Sequence, residues 1–112
     1  MADELAEKTC IPCHGGMPPL PEGEVRRLLS QLTSGWQDVG GKEICKEYAF
    51  KNFVQAVDFV NAITPVAERE GHHPDLELGW GRVRVRLRTH AIDGLTENDF
   101  ILAAKIDQLH RP

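Results

Sequence analysis

Apolar residues recur along the chain with two periods, and the alternation between these periods predicts the order of elements. The first helical stretch opens at Pro21, since proline suits the first turn of a helix, and is expected to end at Gly35. Its apolar face consists of Val25, Leu28, Leu29 and Leu32. Residues 36–39 and 44–50 are then predicted to form a β-hairpin around Gly40-Gly41.

The helical period returns in residues 52–70, where it carries two apolar stripes. One stripe consists of Phe53, Val57, Val60 and Ala67, and the other of Ala56, Phe59, Ile63 and Val66. A surface helix of a small monomer usually needs one such stripe, so the second predicts a contact with another subunit. We expect Pro65 to kink this helix and Gly71 to cap its end.

Two more strands and a last helix complete the predicted fold. Leu76, Leu78 and Trp80 alternate with other residues up to a turn at Gly81-Arg82, and Val83, Val85 and Leu87 then alternate with arginines. The segment Thr96-Glu97-Asn98-Asp99 is typical of a capping box, which opens a helix to about Leu109 with Leu102 and Ile106 facing the core. The order α-β-β-α-β-β-α predicts an α+β fold: a four-stranded antiparallel sheet with three helices packed on one face.

Before this predicted domain, which spans residues 21–112, residues 1–20 are expected to form an N-terminal extension with little regular structure. Within it, Cys10-Ile11-Pro12-Cys13-His14 matches the pattern of c-type haem attachment, but no export signal accompanies it. A zinc site would need a fourth ligand at ordinary spacing, and none follows nearby. We therefore interpret the two cysteines as free thiols.

Composition narrows the classes of function. With a net charge of -4 over 112 residues, the chain lacks the basic character of a general binder of nucleic acid or anionic membranes. It contains no run of about 20 apolar residues that would predict a membrane span. The charged start and the odd number of cysteines, three, favour a protein of the cytoplasm with reduced thiols.

Three histidines are the candidates for chemistry. His72 and His73 precede the third predicted strand, and His90 follows the fourth, so pairing of these strands would bring the three imidazoles together near Glu68. Because imidazole has an ordinary pKa of roughly 6.5, this grouping predicts proton transfer. A zinc ion held by the three rings is a less favoured alternative, since adjacent residues of an extended segment point to opposite faces. Taken by itself, Glu68 could equally be a solvated carboxylate, and Asp99 could equally cap the last helix.

These residues resemble the pterin-4a-carbinolamine dehydratase family. The resemblance runs from about Pro21 to Leu109. It rests on Phe50-Lys51-Asn52-Phe53, Glu68, His72-His73-Pro74, Trp80, Thr89-His90, and Gly94-Leu95-Thr96 with Asp99. It implies the fold predicted above and a carbon–oxygen lyase without metal or cofactor, a 4a-hydroxytetrahydrobiopterin dehydratase. Such an enzyme removes water from 4a-hydroxytetrahydropterin to give quinonoid dihydropterin, which recycles the pterin of aromatic amino acid hydroxylases.

The resemblance also implies roles for individual residues. His72 and His90 would donate protons to the leaving hydroxyl, and His73 would hold the pterin. The substrate-binding or supporting residues would be Glu68, Pro74, Trp80, Thr89 and Asp99. Two positions depart from the family pattern: Leu76 stands where an aromatic residue is usual, and Asn98 where a basic residue often precedes the aspartate.

The alternative is a protein-binding module of the same fold without enzymatic activity. Relatives in this family act as a dimerisation cofactor of a transcription factor or as assembly factors for a carbon-fixing enzyme. The stripe of Arg84, Arg86 and Arg88 is either such a binding surface or a solvated outer face of the sheet. The intact set of three histidines favours the enzyme. As partners we expect the pterin and further copies of the chain, in a homodimer or homotetramer formed through the helix of residues 52–70 or a sheet edge, with no direct nucleic-acid contact and no membrane.

Overall fold

A computed structural model describes residues 2–12 and 15–110 and shows four helices around one antiparallel sheet. The helices are α1 (Ala2–Glu7), α2 (Glu22–Leu29), α3 (Phe53–Glu70) and α4 (Glu97–Leu109). The strands are β1 (Gln37–Val39), β2 (Glu43–Ala49), β3 (Asp75–Gly79) and β4 (Arg82–Leu87), and they lie side by side in the order β1-β2-β4-β3. The predicted α+β fold is therefore confirmed. Within the part of the chain described, no helix combines the length and the apolar character needed to cross a membrane.

The two central strands, β2 and β4, separate a buried face from a charged one. Tyr48 lies opposite Val83 and Ile44 opposite Leu87, and all four side chains are buried against the helices. On the other face, Arg84 and Arg86 of β4 form ion pairs with glutamates of the neighbouring strands. The strict alternation in β4 thus follows from one face packing in the core while the other meets water.

Helix α3 begins and ends where local sequence signals place its caps. The Asn52 side chain accepts a hydrogen bond from the Gln55 backbone N–H at 2.8 Å, and Gly71 adopts the left-handed conformation at φ 64°. Pro65 lies within the helix, which is assigned without interruption to Glu70. Of the two predicted stripes, the one with Ala56 and Phe59 is buried in the core, whereas Phe53 is about half exposed. The subunit contact through this helix stays a prediction.

Helix α2 is shorter than predicted. It ends at Leu29, with Ser30 as its cap, well before Gly35. The chain continues in tighter turns in which Gln31 N–H donates to the Leu28 carbonyl at 3.0 Å. Leu32 is nevertheless buried, because these turns carry it onto the same apolar surface.

The prediction of little regular structure before residue 21 is wrong for residues 2–7, while residues 8–12 and 15–20 contain no helix or strand. Residues Ala2–Glu7 form α1, which packs on α4 and buries Leu5 and Ala6. A helix of this length is not stable in isolation, so its order depends on packing against α4. As a result α4 is buried along most of its length, although only one face of it was predicted to meet the core.

Candidate functional site

The open end of the hairpin formed by β3 and β4 brings the predicted histidines together. Strand pairing sets Asp75 opposite Arg86, so the segment before β3 and the segment after β4 emerge side by side. Between them lies a cleft of about 400 Å³, and His72, His73 and His90 all line it. The juxtaposition expected from the strand order is therefore present in the structure.

His72 forms the best shielded contact of the site. Its Nε2 lies 2.6 Å from Oδ1 of Asp99, whose side chain is fully buried, while the His72 side chain is 11% exposed. The other carboxylate oxygen of Asp99 accepts hydrogen bonds from the Thr89 hydroxyl at 2.9 Å and the Thr96 backbone N–H at 3.0 Å. Asp99 thus caps α4 and orients His72 at the same time.

The other two histidines also face carboxylates, but in solvent. His73 Nε2 lies 2.6 Å from Glu68 Oε2, and His90 Nε2 lies 3.6 Å from Asp75 Oδ2. All four of these side chains are at least 60% exposed. The sequence-based reasoning missed Asp75, although a carboxylate next to the His-His-Pro segment and at the open end of a predicted hairpin was an available signal.

A short closed loop sets the position of His90. Thr89 and Gly94 pair through their backbones, with Thr89 N–H donating to the Gly94 carbonyl at 2.8 Å, and the 3₁₀ turn His90–Ile92 lies between them. A side chain at position 94 would come within 2.8 Å of the Pro19 ring. Glycine is therefore required here by close packing, which explains its place in the Gly94-Leu95-Thr96 motif.

Four predicted site residues do not line the cleft. Glu68 and Asp99 reach it only through their contacts with His73 and His72, and the other two are Trp80 and Pro74. Trp80 occupies the turn between β3 and β4, at the far end of the hairpin, with 73% of its surface exposed. Pro74 is half-buried between His73 and β3. Leu76, which stands where the family usually has an aromatic residue, packs against the hydrophobic core. The roles predicted for Trp80 and Pro74 in substrate binding stay predictions.

The site contains further side chains that were not predicted as site residues, although the sequence analysis had noted Asn98 as a departure from the family pattern. Arg88 lines the cleft and pairs with Asp93, and Asn98 lies next to Asp99 at its edge. Cys10 and Ile11, from the N-terminal segment, also line the cleft. Their approach depends on a long-range contact between the segment and α4, for which neither spacing nor periodicity gives a signal.

A larger cleft of about 620 Å³ lies elsewhere, against Phe50, Phe59 and His110. His110 packs edge-on against both rings there, with centroids 5.3 and 5.8 Å away. This larger cleft therefore contains one imidazole, which packs against aromatic rings, whereas the smaller cleft contains three. Its size does not make it the better candidate for proton transfer.

Among the residues that the structure describes, no three histidine, cysteine or acidic side chains are grouped so that they could hold a metal ion. The three histidines each face a separate carboxylate instead. Cys13 and His14 lie outside the described residues, so the interpretation of the two cysteines as free thiols stays a prediction.

The fold and the histidine cleft can now be compared with known proteins. The family model for pterin 4 alpha carbinolamine dehydratase matches residues 18–109. The chain belongs to this family. A relative from Alkaliphilus metalliredigens is 49% identical, over 95% of this chain and 96% of its own length. A relative from Rubrobacter xylanophilus is 51% identical, over 95% of this chain and 98% of its own length. Both carry a provisional assignment as pterin-4-alpha-carbinolamine dehydratase.

Two solved structures share the fold of this dehydratase family member. A protein of Brucella melitensis, described as a transcriptional coactivator/pterin dehydratase, is 35% identical with a TM-score of 0.76, covering 82% of this chain and 98% of its own. A pterin dehydratase-like protein, described as a RuBisCO assembly factor in the alpha-carboxysome, is 27% identical with a TM-score of 0.59, covering 67% and 88%. Family membership and the names of the relatives support a dehydratase activity on pterin carbinolamines.

Proposed function

We propose that this chain dehydrates 4a-hydroxytetrahydropterin to quinonoid dihydropterin by histidine acid–base catalysis. The observation that carries the proposal is the convergence of His72, His73 and His90 on one cleft, each within 3.6 Å of a carboxylate. In a cell, such a reaction would return the oxidised pterin of an aromatic amino acid hydroxylase to its reductase.

The reaction needs two proton transfers. The bond between C4a and the hydroxyl oxygen breaks as that oxygen receives a proton, so that water leaves. The proton on N5 is released, and the nitrogen electrons form the new double bond to C4a. The net change is the loss of one water molecule without oxidation or reduction. Side chains that exchange protons near neutral pH serve both steps, and imidazole is the side chain that does so without strong perturbation.

His72 and His90 are the proposed proton donors. Because an ionised carboxylate can only accept, we assign a hydrogen to His72 Nε2 in its contact with Asp99, and Nδ1 is the ring nitrogen proposed to exchange a proton with the substrate. Asp75 stands at the corresponding position beside His90, but more loosely and in solvent. His73, held by Glu68 at the mouth of the cleft, is proposed to position the pterin.

The alternative function, a protein-binding module, receives less support from the structure. The Brucella and carboxysome relatives are described with such roles, so the fold is compatible with them. In this chain, however, each arginine of the candidate surface is paired with an acidic side chain. Arg84 pairs with Glu47, Arg86 with both Glu43 and Glu77, and Arg88 with Asp93. A stripe whose charge is already balanced behaves as a solvated face of the sheet.

The test is the rate of dehydration of a 4a-hydroxytetrahydropterin above the rate in buffer, with His72→Ala and His90→Ala as variants. We expect each variant to lose about 10²–10⁴-fold in kcat, the usual contribution of a positioned general acid or base. The matched control is His110→Ala, which removes an imidazole from outside the cleft and should retain the wild-type rate. A wild-type protein no faster than buffer would refute the enzyme, whereas unchanged rates in both cleft variants would refute the residue assignment.

A further inference from the structure

The N-terminal segment contributes one side of the histidine cleft. The chain leaves α1 at Glu7 and runs across the first turn of α4, so that residues Cys10–Pro12 line the same cleft as the three histidines. We call residues 9–12 the arm. The arm has no helix or strand of its own, so contacts with other parts of the chain must hold it in this position.

Glu70 holds one end of the arm. Its carboxylate accepts the Cys10 backbone N–H at 2.9 Å, and its side chain is only 5% exposed. The hydrogen bond from Cys10 lowers the pKa of Glu70, and the nearby Lys105 ammonium acts in the same direction against the opposing effect of burial. Lys105 lies on α4 and donates to the Ala6 carbonyl at 2.6 Å, which ties α1 to α4.

Asn98 holds the next residue of the arm through both atoms of its amide. Its Oδ1 accepts the Ile11 backbone N–H at 3.0 Å, and its Nδ2 donates to the Ile11 carbonyl at 2.6 Å. Asn98 is 4% exposed, so these bonds form in a shielded setting where a lost partner is costly. A basic side chain, usual in the family at this position, could donate to the carbonyl but could not accept the N–H.

Ile11 is fixed by these bonds with its side chain still open to solvent. It is 63% exposed although it is a large apolar residue, and it lines the cleft. An apolar side chain held by two backbone hydrogen bonds at the edge of the cleft is suited to pack against the flat ring of a ligand. Contact with such a ring would remove its exposed surface from water.

We propose that Ile11 is a specificity-determining residue that packs on the pterin ring, and that Asn98 is the positioning residue that holds Ile11 there. This inference rests on the proposed function, because it assigns the arm to the same substrate. The relatives are consistent with it: matches that cover 95% of the chain take in most of the residues before position 18, where the family model begins.

The closing experiment compares kcat and KM in full-length variants. For Ile11→Ala we expect KM for the hydroxypterin to rise about tenfold with kcat within about twofold, as for lost binding that the ground and transition states share. Val54→Ala is the matched control, since Val54 is similarly exposed, at 66%, but lies on α3 outside the cleft. Neither kinetic constant should change in this control.

Asn98→Ala tests the positioning role. We expect a rise in KM of similar size and a pH profile of kcat that matches the wild type, because the pair of His72 and Asp99 stays intact. The double variant Ile11→Ala/Asn98→Ala should be no worse than the more impaired single variant, since both changes remove the same contact. Multiplied effects, or an altered pH profile, would overturn this role for Asn98.

The outcomes separate the two proposals. An inactive wild-type protein refutes the proposed function and with it the role of the arm. An active wild type with Ile11→Ala unchanged in KM refutes the arm alone and leaves the dehydratase standing. Because Ile11 is largely exposed, its replacement is not expected to prevent folding, so the result remains interpretable even if Asn98→Ala is unstable.

Discussion

Helix α4 carries two buried carboxylates, Asp99 in its first turn and Asp107 near its end, and their surroundings differ. Asp99 is bonded to Thr89, to the Thr96 backbone and to His72. Asp107 accepts hydrogen bonds from four side chains of other elements. These donors are Thr33, Trp36, Lys46 and Tyr48. Burial is therefore common to both carboxylates and does not distinguish them.

The difference lies in the partners. His72, the partner of Asp99, carries an imidazole, the side-chain type suited to acid–base chemistry, and lines an open cleft. The partners of Asp107 include no imidazole, and burial, together with the hydrogen bond to Asp107, raises the pKa of Tyr48 far above its usual value. We conclude that a buried carboxylate indicates chemistry only when its partner is both titratable and accessible to a ligand.

The largest effect on stability is expected at Asp107. In Asp107→Ala, the Lys46 ammonium, only 15% exposed, loses its counter-ion, and the buried donors around it lose their acceptor. Breaking a buried pair in this way should lower the free energy of unfolding by about 3–5 kcal/mol. Denaturant unfolding followed by circular dichroism measures this change. A loss below about 1 kcal/mol would show that Asp107 and its donors do not have the stabilising role assigned to them here.

A smaller effect, on rate, is expected where a carboxylate faces a histidine in solvent. Asp75 lies 3.6 Å from His90 with both side chains largely exposed, so water screens their interaction. Asp75→Asn should therefore reduce kcat by less than about threefold. Steady-state kinetics at neutral pH measures this change in kcat. A loss in kcat as large as that of His72→Ala or His90→Ala would mean that shielding from solvent is not what distinguishes Asp99 from the other carboxylates.

Sequence reasoning captured the elements that depend on local signals. The hairpins, the capped helix α3 and the capping box of α4 follow from periodicity, glycine turns and side-chain caps, which act over a few residues. The convergence of His72 and His90 was also accessible, because antiparallel pairing of two consecutive strands fixes which ends meet.

What could not be predicted depends on contacts between distant parts of the chain. Helix α1 and the arm are ordered by packing on α4, about 90 residues later, and their own sequence is too short to show it. The same limit applies to Asn98, whose partner is the Ile11 backbone. Trp80 shows the opposite limit: a residue can match a family pattern while lying at the far end of the hairpin from the cleft.

The most direct test of the account compares the two carboxylates of α4 by the same substitution. The rate of 4a-hydroxytetrahydropterin dehydration is measured in Asp99→Asn and Asp107→Asn, at a temperature where both variants are folded. We expect Asp99→Asn to lose at least about tenfold in kcat, because His72 loses the carboxylate that orients it, while Asp107→Asn should stay within about twofold of the wild type. Equal losses in the two variants, or an unchanged rate in Asp99→Asn, would contradict it.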